Sequence, residues 1–147
     1  MAFFIGEYEY ALDNKGRINI PAKFRKAMAP EANDTVIITL SREKCLDVYP
    51  LDVWQTRIVD KLSDFSEMNK AHRQLTSLIG ANSVDSVFDK QGRIAIPPKL
   101  LNYANLQGKV IVVGAFNRIE LWNPDTRQDY LTQASEALDQ IENELLP

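Results

Sequence analysis

The chain is poor in the residues that build covalent cross-links and most metal or catalytic centres. Its 147 residues include one cysteine, Cys45, and one histidine, His72. A single cysteine excludes an internal disulfide, and the simplest setting is then the cytosol. One histidine and one cysteine cannot form a His/Cys metal cage, and no phosphate-binding loop motif is present. We therefore expect no enzyme activity, no cofactor and no small-molecule substrate.

Long apolar runs are also missing. No stretch approaches the roughly 20 apolar residues that a membrane helix needs, and residues 1–10 lack the basic start of a secretory signal. Apolar residues make up 45% of the chain and charged residues 25%, which is ordinary for a globular protein. The expectation is a cytoplasmic protein with no membrane partner.

The charge is weakly acidic overall but unevenly distributed. The net charge of −3 argues weakly against a nucleic-acid partner. Residues 13–26 nevertheless carry a net +4 and residues 89–99 a net +2, while residues 134–147 carry a net −4. A local basic face can bind an anion even on an acidic protein.

One segment occurs twice. Residues 13–24 read DNKGRINIPAKF, and residues 89–100, which lie 76 positions later, read DKQGRIAIPPKL. The shared frame is Asp-x-x-Gly-Arg-Ile-x-Ile-Pro-x-Lys. A repeat of about half the chain indicates one supersecondary unit used twice.

Each copy predicts the order strand, turn, strand, short helix and two further strands. Alternating side chains predict a strand over residues 7–13 and another over 83–89. Gly16 and Gly92 suit a tight turn, which puts the motif at the tip of a β-hairpin. A proline then ends the second strand and opens a helix. Segments rich in β-branched residues predict the remaining strands over 35–40, 45–50, 109–115 and 118–124.

Helical patterns follow both copies. Apolar residues recur at 3-4 spacing through 65–79, which includes His72, and through 131–145. Each stripe is either a contact between subunits or part of the core of its own chain. We expect four segments, namely a first half over 7–53, a helical connector over 54–81, a second half over 82–125 and a C-terminal helix over 126–147.

These features resemble the MraZ transcriptional regulators. The resemblance rests on the two Asp-x-x-x-Arg motifs, on their Gly-Arg-Ile-x-Ile-Pro context, and on LDVYPLDVW and RIELWNP. It covers about residues 1–130 and implies an α+β fold, an intrachain duplicated AbrB/SpoVT-like swapped-hairpin (double-psi-like) β-barrel with flanking helices. One position departs from the pattern, because Arg127 stands where Trp54 of the first copy predicts an aromatic residue.

The resemblance also implies a function. Members are nucleoid-associated bacterial proteins that form rings, bind repeated DNA sites upstream of the division and cell-wall cluster, and usually repress their own operon. A planar arginine can grip a phosphate or the edge of guanine with two hydrogen bonds, and a neighbouring aspartate can orient it. The expected DNA-binding residues are Asp13, Asn14, Lys15, Arg17, Asp89, Lys90, Gln91 and Arg93.

Alternatives remain open at this point. Each motif could be a plain turn with a surface ion pair, and a solvated helix face would explain Lys23, Arg25, Lys26 and Lys99. The chain could instead be a protein-interaction ring that acts through another protein, such as a methyltransferase encoded beside it. An antitoxin-like AbrB regulator is disfavoured, because such proteins lack a duplicated half within one chain. If one motif dominates DNA binding, the more basic first copy favours Arg17 over Arg93.

Overall fold

The repeat folds into the order of elements that the sequence predicts. The computed structural model describes residues 3–145, and strand, strand, helix, strand, strand occurs in each half. The first half contains β1 (Phe4–Ala11), β2 (Arg17–Asn19), α1 (Ala22–Ala27), β3 (Thr35–Leu40) and β4 (Leu46–Pro50). The second half contains β5 (Val84–Val87), β6 (Arg93–Ala95), α5 (Pro98–Tyr103), β7 (Lys109–Phe116) and β8 (Ile119–Trp122). The α+β class and the duplication are thus confirmed.

The two halves exchange their first strands. Six strands form one antiparallel sheet in the order β1-β7-β8-β4-β3-β5, while β2 and β6 form a separate two-stranded ribbon. Strand β1 therefore pairs with β7 of the other half, and β5 pairs with β3. Neither half has its complete set of strand partners alone, so the halves are interlocked.

The pairing registers reveal a pseudo-twofold axis. In the ribbon, Ile18 faces its own repeat counterpart Ile94. At the centre of the large sheet, Asp47 of β4 faces Glu120 of β8. Equivalent residues of the two halves meet at both places, as a twofold relation requires.

Two details differ from the sequence predictions. Strands β1 and β5 are the two edges of the large sheet over residues 3–145, so this sheet is open and the closure of the expected barrel is not seen. The two strands that flank each turn also do not pair with each other. In the first half, β1 belongs to the large sheet and β2 to the ribbon, so the expected β-hairpin is not formed. The reason is the strand exchange, in which β1 pairs with β7 and β2 pairs with β6.

The core lies between the ribbon and the large sheet. Ile18, Ile20, Ile94 and Ile96 point inward from the ribbon and are buried, as their alternating pattern predicts. The sheet contributes a matching apolar face. Its buried members include Phe4, Val36, Ile38, Leu46, Val48, Val110, Val112, Ile119 and Leu121. Each half supplies about half of this core, which explains why a lone half would be marginal.

Helices follow each half. After β4 the chain continues as α2 (Leu51–Trp54), a π-helical turn (Gln55–Val59) and α3 (Asp60–Leu62), and then α4 (Lys70–Ala81). Helix α4 ends at Ala81, one residue after Gly80. The second half is followed by α6 (Pro124–Gln133) and α7 (Ser135–Leu145), so a break at Ala134 replaces the single predicted helix. None of the described helices has the length and apolar character needed to cross a membrane.

The apolar stripes of these helices do not join the core. Leu75 of α4 is 38% exposed, and Ile141 of α7 is 59% exposed. His72 is half-buried, stacks on Phe65 with ring centroids 4.4 Å apart, and accepts a hydrogen bond at Nδ1 from the Ser66 N–H. Both stripes are therefore available as surfaces.

Arg127, which stands where an aromatic residue was expected, packs on an aromatic ring. In the first half Trp54 packs on Tyr49, with ring centroids 5.7 Å apart. In the second half the Arg127 guanidinium lies 5.3 Å from the centroid of the Trp122 ring. A cation over an aromatic face provides an attraction comparable to that of an aromatic pair.

The exchanged strand β1 can be tested through Gly114. A Cβ at this position would lie 2.6 Å from the backbone of Phe4 and Ile5, so Gly114→Ala should push β1 away from β7. We expect a loss of at least about 2 kcal/mol in the free energy of unfolding, measured by urea denaturation. Gly80→Ala is the matched control, because open space surrounds Gly80 in α4 and alanine should stabilise that helix by about 0.5–1 kcal/mol. Equal stabilities for the two variants would contradict the tight β1–β7 contact.

Candidate nucleic-acid interface

The first motif is a turn built around the Asp13 carboxylate. Oδ1 accepts the backbone N–H groups of Lys15 (2.9 Å) and Arg17 (2.8 Å), and Oδ2 accepts Nε–H of Arg17 at 2.7 Å. The Gly16 N–H donates to the Asp13 carbonyl at 3.2 Å, and Gly16 has φ +76°, which favours glycine. One aspartate thus closes the turn and holds the arginine side chain.

The second motif repeats this geometry atom for atom. Asp89 Oδ1 accepts the N–H groups of Gln91 and Arg93, each at 2.9 Å, and Oδ2 accepts Arg93 Nε–H at 2.8 Å. Gly92 has φ +75°. The close agreement shows that the local sequence determines the turn, since the surroundings of the two copies differ.

These hydrogen bonds keep both carboxylates ionised. The backbone N–H of Arg17, followed by its side chain and the Lys15 N–H, lowers the pKa of Asp13 from 3.8 to about 2. The equivalent groups of Arg93 and Gln91 lower the pKa of Asp89. Donors to a carboxylate favour its charged form. A pair of ionised aspartates is unsuited to general-acid catalysis, which needs a carboxyl that retains its proton near neutral pH.

The ribbon brings the two turns side by side. The N–H of Ile96 donates to the Gly16 carbonyl at 2.9 Å, and the N–H of Ile20 donates to the Gly92 carbonyl at 3.1 Å. Arg93 Nη1 also reaches Asp13 Oδ2 at 3.6 Å. The two motifs, far apart in the sequence, therefore form one continuous surface.

The expected site residues differ in their exposure. The four residues at the turns, Asn14, Lys15, Lys90 and Gln91, are exposed, whereas the two aspartates and two arginines are half-buried. Side-chain exposure is 32% for Arg17 and 21% for Arg93. The four exposed residues can contact a ligand directly. The two arginines are held by the aspartates through Nε, and we call them braced; each exposes only the outer part of its guanidinium.

Two further residues of this surface escaped the sequence prediction. Asn19 is exposed on β2 and faces Arg93 across the ribbon. Its period-two relation to Arg17 is the signal that could have identified it, because residues two apart on a strand share a face. The second is Arg25 of α1, whose guanidinium lies against Gly92; only the three-dimensional contact reveals its position.

A second charged cluster lies away from the ribbon, around the buried Cys45. One ligand atom each from Cys45, Asp47 and Glu120 lies within 4.8 Å of the others. Burial raises the pKa of the Cys45 thiol to about 12 and that of Asp47 to about 6. Glu120 accepts hydrogen bonds from Arg118 Nη2 (2.8 Å) and the Trp122 indole N–H (3.0 Å). The arginine and indole donors account for this cluster as a partly buried ion-pair network.

Comparison with known families agrees with the duplicated motif. The family described as "MraZ protein, putative antitoxin-like" matches residues 3–78 and again residues 77–146. The chain belongs to the MraZ family. Each match contains one Asp-x-x-x-Arg turn, so the two turns of the ribbon come from two copies of the family unit. The description is consistent with a regulator. This family is described as antitoxin-like, and its model matches both halves of the chain. The duplication is therefore not an argument against an antitoxin-like regulator.

The brace in the first MraZ motif should be visible in the titration of Asp13. Since its pKa is lowered from 3.8 to about 2, the brace stabilises the folded chain above pH 3.8 and this contribution is lost as the pH falls through about 2. Carboxyl-carbon NMR should give a midpoint near 2 for Asp13. Asp13→Asn identifies the resonance by removing it. A midpoint near 3.8 would contradict the hydrogen-bond geometry.

Proposed function

We propose that this MraZ-family protein is a sequence-specific, DNA-binding transcriptional regulator that acts at the nucleoid. It binds repeated promoter sites as a ring-shaped homo-oligomer and represses its own division and cell-wall operon. The observation that supports this most strongly is the adjacency of two arginines, each braced by an aspartate, on one two-stranded ribbon.

The shape of the ribbon suits the major groove. A two-stranded β-ribbon fits within that groove, which is about 12 Å wide. Arg17 and Arg93 lie on the outer face together with Asn19, while the isoleucines between them are buried. Arginine can bond the O6 and N7 atoms of guanine, and asparagine the N6 and N7 atoms of adenine. In this proposal these three side chains read bases, and Lys15 and Lys90 contact phosphates.

The aspartates prepare the arginines for binding. Nε of each arginine is held by a carboxylate, so the guanidinium has lost much of its rotational freedom before DNA arrives. Ordering a long side chain at an interface costs roughly 0.5–1.5 kcal/mol, and here part of that ordering is already present. The terminal nitrogens are then the groups that meet the base edge.

The DNA-binding proposal is tested by replacing both arginines. Arg17→Ala with Arg93→Ala should weaken binding to the upstream region of the gene by at least about thirtyfold, since two arginine–guanine pairs are lost and each contributes about 1–3 kcal/mol. A gel shift across a salt titration measures this. The control replaces Arg42 and Arg57, two exposed arginines outside the ribbon. Equal DNA binding by the double variant and by the control would refute the proposed role.

The oligomer proposal rests on two complementary surfaces. Helix α7 presents exposed Leu138 and Ile141 beside the acidic residues of the C-terminal segment. Helix α4 presents exposed Leu78 and lines an open groove with Lys70, Arg73 and Lys99. We propose that α7 of one subunit docks on α4 of the next. Such a head-to-tail contact closes into a ring when the rotation between subunits permits.

This contact can be broken without altering the DNA-binding ribbon. Leu138→Asp with Ile141→Asp should reduce the assembly to smaller species, because two charges would be buried in an apolar contact. Light scattering after gel filtration measures the mass. Gln140→Asp with Asn143→Asp adds the same charge at polar positions of α7 and should leave the ring intact. An unchanged mass for the leucine–isoleucine variant would contradict the proposed contact. If that variant kept its ring but no longer bound a neighbouring methyltransferase, the result would favour the protein-interaction alternative.

A further inference from the structure

Arg25 belongs to the first half of the chain but lies at the turn of the second motif. Its Nε–H donates to the Ile20 carbonyl at 3.1 Å. A Cβ built on Gly92 would come within 2.4 Å of Arg25 Cζ, so the guanidinium packs directly against this glycine. The Ile20–Gly92 backbone hydrogen bond of the ribbon holds these segments together. Because the halves interlock, the positively charged side chain of Arg25 in the first repeat lies at the turn of the second.

At the position equivalent to Arg25, the other repeat has a leucine. The residue 76 positions after Arg25 is Leu101, and its Cδ1 lies 3.3 Å from a Cβ built on Gly16. The pseudo-twofold axis thus places leucine beside one turn and arginine beside the other. Counting charges along the sequence assigns Arg25 to the first motif, whereas the structure assigns it to the second.

Arg25 also differs from the braced arginines in its charge environment. Arg17 and Arg93 are each paired with an aspartate at 2.7 and 2.8 Å. Within residues 3–145, by contrast, no carboxylate lies within ion-pair distance of Arg25, whose one side-chain hydrogen bond there uses Nε. The fork of terminal N–H groups is therefore oriented by its anchored Nε but still has its bonding capacity. This is the state that suits bidentate capture of a phosphate.

We propose that Arg25 forms a phosphate-binding site with the turn of the second motif, and that the site takes a phosphodiester group of the DNA backbone. The exposed Lys90, two residues before Gly92, adds a second positive charge to the same turn. The two motifs are then unequal, since the second holds the DNA backbone through an extra arginine and the first does not. This inference rests on the proposed DNA-binding function and adds the contact that orients the ribbon on the duplex.

The test uses the substitution that the other repeat already carries. Arg25→Leu gives the second turn the leucine environment of the first turn, which makes a folded variant the expected result. Arg25→Gln serves as a second variant, and thermal unfolding checks both. The matched control is Arg42→Leu, which removes the same charge from an exposed site after β3. Strand β3 begins beside the second turn, where the Phe88 N–H donates to the Asp34 carbonyl. The other end of β3, which Arg42 follows, therefore lies about 20 Å from that turn.

Affinity for a duplex of the upstream region of the gene is then measured by fluorescence anisotropy over a salt titration. Arg25→Leu should weaken binding on the order of tenfold and lower the slope of log K against log salt by about 0.9 for each lost phosphate contact. Arg42→Leu should leave the slope unchanged.

The outcomes separate this inference from the proposed function. If both Arg25 variants match Arg42→Leu in affinity and slope while Arg93→Ala still loses binding, the phosphate site is refuted and the DNA-binding function stands. If the unsubstituted protein shows no salt-dependent binding, both are overturned. A slope that falls for both Arg25 variants, with a similar loss on unrelated sequences, supports a backbone contact that carries no sequence information.

Discussion

Backbone hydrogen bonds between β2 and β6 hold the two halves of the chain together around Ile18 and Ile94. This short ribbon closes one side of the core, because its four isoleucines cover the apolar face of the six-stranded sheet. It also brings the two turns together, because each strand begins at a motif arginine. A register shift of one residue would turn the isoleucines outward and the arginines inward. The burial of the isoleucines thus determines where the arginines face.

The same pairing of β2 with β6 explains why the motif contains an aspartate. The chain must leave the large sheet and enter the ribbon within a few residues, so β1 and β2 cannot stabilise each other with a ladder. The aspartate compensates, since its carboxylate accepts two backbone N–H groups and the arginine side chain at once. The turn and the proposed DNA recognition therefore depend on the same carboxylate, which closes the turn and orients the arginine side chain.

The local features of the fold were predictable because they depend on neighbours in the sequence. The period-two pattern around Ile18 and Ile94 identified the ribbon strands, and the glycine of each motif identified the turn. Partners of strands were not predictable in this way. The expected β-hairpin around each motif was wrong because β2 pairs with β6, a strand 76 residues away, and the large sheet is open rather than closed into a barrel. A register between distant segments depends on which surfaces must be buried together, and a local pattern does not contain that information.

Arg25 shows the same division at the level of a single residue. The amino-acid sequence alone determined the repeat, the braced turn and the inward isoleucines, since each follows from residues within one short segment. Only the tertiary structure decided that Arg25 of the first half lies beside Gly92 of the second. The physical reason is the exchange of strands between the halves, which places the helix of one repeat against the turn of the other.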